Sequence, residues 1–61
     1  MTAREVMQRL RREGWAEQPG RGSHVKFRKE GRTVIVPNHP GDLKRGLLQS
    51  ICRAAGWPPQ R

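Results

Sequence analysis

His24-Val25-Lys26-Phe27-Arg28, followed by Lys29-Glu30-Gly31 and then Arg32-Thr33-Val34-Ile35-Val36, is the stretch that decides the fold. In its first part Val25 and Phe27 alternate with His24, Lys26 and Arg28, the period-two pattern of a half-buried strand. The second part is β-branched through its centre and reads as a strand pairing back on the first across a tight connection, with Pro37 ending it. Val25, Phe27, Val34 and Val36 then share one face of the hairpin. The opposite face presents His24, Lys26 and Arg28 side by side, about 7 Å apart for alternate residues of a strand.

Upstream of the hairpin, Pro19-Gly20-Arg21-Gly22 has the composition of a turn, and Trp15 to Gln18 reads as a short extended stretch. Before that, Thr2-Ala3-Arg4-Glu5 has the spacing of a capping box, which starts a helix. Ala3, Val6, Met7 and Leu10 form its apolar stripe, and Gly14 is placed to stop it. Downstream, Asn38-His39-Pro40-Gly41 is a loop and Asp42 is the expected N-cap of a second helix. Leu43, Leu47, Leu48, Ile51, Ala54 and Ala55 recur there at helical spacing, and Gly56 followed by Pro58-Pro59 closes it. Gly46 would cost about 1 kcal/mol in a helix interior. Either the helix begins near it or a close backbone approach requires it. The expected architecture is α+β in the order α-β-β-β-α, two helices covering one face of a three-stranded antiparallel sheet.

The length of 61 residues fits one core, so residues 1–61 are expected to form a single domain. Thirteen Lys and Arg against five Asp and Glu give a net charge of +8 and a pI near 11.6. That exceeds the value of about 9 that marks nucleic-acid affinity. The cations are spread over every expected element and do not form one basic amphipathic helix, which disfavours a membrane surface as the partner. No apolar run exceeds Val34-Ile35-Val36, so no membrane span or signal-peptide core is expected, and the expected location is the cytoplasm. Cys52, the single cysteine, has no disulfide partner or second zinc-binding thiol and reads as a small buried hydrophobe.

Cleaving RNA without a metal needs a base for the 2′-hydroxyl proton, an acid for the leaving 5′-oxygen, and cations for the phosphorane charge. Imidazole suits the proton transfers, its ordinary pKa being about 6.5. Two histidines are available. His24 follows a Gly-Ser turn on the strand that carries Lys26 and Arg28, which makes it the candidate catalytic residue, with those cations on the phosphate. His39 is either a solvated loop residue or a supporting member of the site. Lys44 and Arg45 fall at the start of the second helix, where free amides and the helix dipole favour anions. Ser23 is a phosphate-binding candidate; as a nucleophile it would face away from His24 and lacks an acidic orienter. The dispersed acids do not suggest a metal cage, so neither metal nor cofactor is expected. Trp15 and Trp57 read as hydrophobic plugs at helix ends. Two other readings remain open: a non-catalytic module binding RNA by shape and phosphate contacts, and a small DNA-binding protein.

Gly14-Trp15, Gly22-Ser23-His24, Gly31-Arg32, Val36-Pro37-Asn38-His39, Leu43-Lys44-Arg45-Gly46 through Ile51, and Ala54-Ala55-Gly56 occur in one order over nearly the whole chain. Together they resemble the HicA toxins of bacterial type II toxin–antitoxin pairs. The resemblance implies a fold similar to the double-stranded RNA-binding domain, mRNA-cleaving activity, inhibition by a HicB-type antitoxin, and catalysis by His24. It also implies a glycine near the start of the second helix, at Gly46. The chain departs from the pattern at Val25, where the family often carries a second histidine or another polar residue, and at Leu47, commonly threonine.

Overall fold

The computed structural model describes residues 1–59. Helix α1 runs Ala3–Arg12, strands β1, β2 and β3 run Ala16–Pro19, His24–Lys29 and Arg32–Pro37, and helix α2 runs Arg45–Ala55. The sheet is antiparallel with strand order β1-β2-β3. This is the expected α+β arrangement, and it is compatible with a likeness to the double-stranded RNA-binding domain.

The capping box is formed. Glu5 N donates to Thr2 Oγ1 at 3.1 Å, and Thr2 N donates to Glu5 Oε1 at 2.8 Å. The Thr2 backbone amide first, then the Thr2 side chain, holds the Glu5 carboxyl below its usual range. Both helices end in the same way. Past α1, Gly14 takes φ +88°, its amide donates to Arg11 O, and the Trp15 amide donates to Leu10 O. Past α2, Gly56 takes φ +78°, its amide donates to Arg53 O, and the Trp57 amide donates to Cys52 O. This paired bonding satisfies carbonyls that the last helical turn leaves orphaned, and it needs a left-handed residue, which glycine adopts without strain. The chain then turns a tryptophan inward at each end, and both indoles are buried.

Glu30 (φ 50°) and Gly31 (φ 80°) make the two-residue turn between β2 and β3. Two successive positive φ angles match the twist of the flanking strands, which is why this class of turn joins hairpins. It sets the register that pairs Val25 with Val36 and Phe27 with Val34 on the covered face, and Lys26 with Ile35 on the open one. The core consists of Ala3, Val6, Met7 and Leu10 from α1, Phe27, Val34 and Val36 from the sheet, and Leu48, Ile51, Cys52 and Ala55 from α2, closed by both tryptophans. Cys52 is buried, as expected.

Glu13, beyond the end of α1, joins the two halves of the chain. Its carboxylate accepts from Trp57 Nε1 at 2.8 Å and from Arg9 Nε at 3.0 Å, and its carbonyl accepts from Lys29 Nζ at 2.6 Å. The Arg9 guanidinium lies 4.1 Å from the Trp57 ring centroid. The Trp57 bond first, then the Arg9 bond, keeps the Glu13 carboxyl below the ordinary glutamate range.

Several boundaries differ from the sequence reading. Asp42 is not the N-cap of α2; Lys44 occupies that position, with no side-chain capping bond. Asp42 instead bridges to Thr2 and lies 3.8 Å from the N-terminal ammonium of Met1. Leu43 accordingly precedes the helix, its amide donating to Met1 O. Leu47 keeps helical spacing but is 39% exposed, outside the core. Gly46 is the second residue of α2, and a β-carbon there would meet nothing within 4 Å, so the helix-start explanation holds and the close-approach one does not. Pro19 and Pro37 are the last residues of β1 and β3 and do not lie outside them. Among the described residues no helix is long and apolar enough to cross a membrane.

Candidate active site

His24 opens β2, directly after the turn that begins at Gly20. Its position is fixed by one carbonyl. Arg21 O accepts from the His24 backbone amide at 3.0 Å and lies 3.2 Å from His24 Nδ1. A carbonyl can only accept, so Nδ1 carries the proton in that bond and the Nε2 lone pair of the neutral ring is left for chemistry. Gly20 supports the same geometry from behind. A β-carbon at that position would lie 2.5 Å from the His24 carbonyl oxygen, so only glycine allows the turn to pack this closely.

A cleft of about 430 Å³ opens in front of the ring, lined by Pro19, Gly20, Arg21, His24, Lys26 and Ile35. Lys26 stands two residues along β2 on the same open face, opposite Ile35, and Arg21 supplies a second cation from the turn. The sequence reading placed His24 and Lys26 together, and they are together. Arg28 lies further along the same face, paired across the sheet with Ala16 and Thr33, outside the lining of the cleft. Sequence reasoning gives Arg21, Gly20 and Ile35 no part in the site. Arg21 was signalled by being the one cation inside the glycine turn, and Ile35 by an apolar residue falling on the polar side of the alternation.

Ser23 and His39 meet each other and not His24. Ser23 Oγ lies 3.4 Å from His39 Nε2, and the Ser23 carbonyl accepts from the Asn38 amide at 2.7 Å, tying the β3–α2 loop to the start of β2. His39 lines a neighbouring cleft with Thr2, Arg4 and Asn38. Lys44 and Arg45 sit at the start of α2, where no side chain caps the free amides.

No acid lines the cleft of His24. Glu5 is engaged by Thr2, Glu13 by Trp57 and Arg9, and Glu17 by Arg11 at 2.7 Å; Asp42 lies 3.8 Å from the N-terminal ammonium, and Glu30 sits in the β2–β3 turn. The lining of the cleft thus holds an imidazole, two cations, one apolar side chain and no acid.

A small basic α+β domain with a histidine in a cation-lined cleft is the class that fold and site define. The family model for the HicA toxin of bacterial toxin–antitoxin systems matches residues 3–57, and the chain belongs to that family. No curated protein matches it. A toxin of such a pair has a cognate antitoxin as its partner.

Proposed function

We propose that the chain, acting as one domain, is a metal-independent endoribonuclease that cleaves mRNA and is neutralised by a HicB-type antitoxin. The observation that supports this is the Nδ1 contact of His24 with Arg21 O, which leaves Nε2 unengaged in a residue that lines a cleft together with Lys26 and Arg21. With the ribose seated there, Nε2 takes the 2′-hydroxyl proton and the 2′-oxygen attacks phosphorus. The P–O5′ bond breaks, and the 5′-oxygen takes a proton from solvent entering the open cleft. The products are a 2′,3′-cyclic phosphate and a 5′-hydroxyl end. Lys26 and Arg21 offset the negative charge that builds on the phosphorane. Arg28 along the strand, and Lys44 and Arg45 at the uncapped start of α2, hold flanking phosphates. Ser23 and His39 fix the loop beside the cleft and offer further polar contact to the strand. Metal independence rests on the lining of the cleft, which includes no acid.

The reading is tested with an RNA oligonucleotide and the same strand bearing one 2′-deoxy residue at the cut. Scission of the first alone, unaffected by EDTA and leaving a cyclic phosphate, is the expected result. Cleavage of the deoxy strand, or loss of activity with EDTA, contradicts it. Binding of both strands with neither cut would reduce the protein to an RNA-binding module, the second reading, which the net charge of +8 supports by itself.

A further inference from the structure

The two edges of the sheet are treated differently. β1 is four residues long and carries Glu17 within it, a short, charged edge of the kind that prevents pairing with other chains. β3 is six residues long, and between Arg32 and Pro37 its sequence Thr33-Val34-Ile35-Val36 has neither charge nor proline. Its outer side has no strand partner among the described residues. Along that edge runs a groove of about 230 Å³ between β3 and α2, lined by Thr33, Ile35, Leu47, Ser50, Ile51 and Ala54 among others. Ile35 and Leu47, 50% and 39% exposed, are the exposed large hydrophobic residues among the described ones, and both border this groove.

We infer that the antitoxin docks here, adding an extended segment to the open edge of β3 and placing apolar side chains between Ile35 and Leu47. Main-chain hydrogen bonds to an unblunted edge supply affinity, and pockets for alternate side chains supply specificity. Charge sets the chemistry of the segment. Arg32 stands at one end of β3, its guanidinium beside Gly56, and Lys44 and Arg45 stand at the start of α2, while no acid lines the groove. The matching segment is apolar at its centre and acidic at its flanks. A second copy of this chain fits poorly because each carries +8. RNA fits poorly because a phosphate backbone leaves two exposed hydrophobes unmatched. The position also explains inhibition. Ile35 borders both the groove and the cleft of His24, so a side chain seated over Ile35 stands at the mouth of that cleft.

The inference rests on membership in a toxin–antitoxin family and uses no cleavage data. Its test is backbone hydrogen exchange on this chain, free and bound to the antitoxin of its own pair, together with binding by Leu47→Glu. Leu47 lies on the exposed side of α2, so the melting curve of the free variant should match that of the native chain. The amides of Thr33 and Ile35, which alternate away from β2, should exchange at least about tenfold more slowly in the complex, and Leu47→Glu should weaken antitoxin binding about tenfold or more. Full-strength binding by Leu47→Glu with unchanged exchange along β3 overturns the inference. So does protection of the same amides by self-association of the free chain, or by a short single-stranded RNA. Because the readout is binding, a chain with no ribonuclease activity would still pass or fail it independently.

Discussion

The two faces of the sheet divide the work of the molecule. On the covered face Phe27, Val34 and Val36 are essentially inaccessible and interlock with both helices. On the open face His24, Arg28 and Ile35 are exposed and Lys26 is half-buried, and among the described residues the contact of His24 with Arg21 O is the one side-chain hydrogen bond they make. The difference teaches that alternate residues of one strand can serve the core on one side and, on the proposed reading, the chemistry on the other. A chain of this size has a marginal stability, about 5–15 kcal/mol being usual for domains in general. Spending one whole face on function is possible because the other face, with its two buried tryptophans, suffices to hold the fold.

That division is broken most severely from the covered side. Phe27→Ala removes the largest fully buried side chain and should cost about 3–5 kcal/mol, enough to leave much of the protein unfolded in a urea titration. Tolerance of that change would mean the core is not where the strands place it. Gly20→Ala joins the two faces. Its β-carbon would meet the His24 carbonyl at 2.5 Å, so it should cost about 1–3 kcal/mol and displace the imidazole, visible as loss of cleavage and as shifts in the His24 NMR signals.

Acid sharpens the comparison from the Glu13 junction. The folded pKa of Glu13 is depressed, so its stabilising contribution is full above the unfolded value and is lost as pH falls through the folded one. Thermal midpoints should fall as pH drops below the ordinary glutamate range, and Glu13→Gln should flatten part of that fall. The effect is modest, because the carboxylate is 35% exposed and screened by solvent. Lys26→Ala should be smallest in stability, within about 0.5 kcal/mol by calorimetry. It should still weaken RNA binding and reduce the magnitude of the salt slope by about 0.7 for the phosphate contact removed from a single strand.

Much of this was legible in the sequence because it depends on local rules. The capping box at Thr2 and Glu5, the alternation through Val25 and Phe27, and the left-handed glycines before each tryptophan dictate their own geometry. His24 and Lys26 could be placed on one surface from strand periodicity alone. What periodicity could not supply was long-range contact. Leu47 fits the apolar spacing of α2, yet α2 sits against the edge of β3, which leaves Leu47 at the rim. Asp42 has the residue type of an N-cap, but its bridge to Thr2 holds the chain extended until Lys44. The division of the two histidines between separate clefts, and the part of Arg21 in fixing a tautomer, follow from how the turn folds back on β2.

If the exposed imidazole of His24, which has no part in the core, does the chemistry proposed for it, His24→Ala shows this most directly. Cleavage of an RNA oligonucleotide by the variant and the native chain should be measured beside a thermal melt and a gel shift. The account predicts no detectable scission, RNA affinity within about threefold of native, and stability changed by about 1 kcal/mol or less, the value of one exposed hydrogen bond. A folded variant that still cuts RNA, or one that fails to fold, would contradict it.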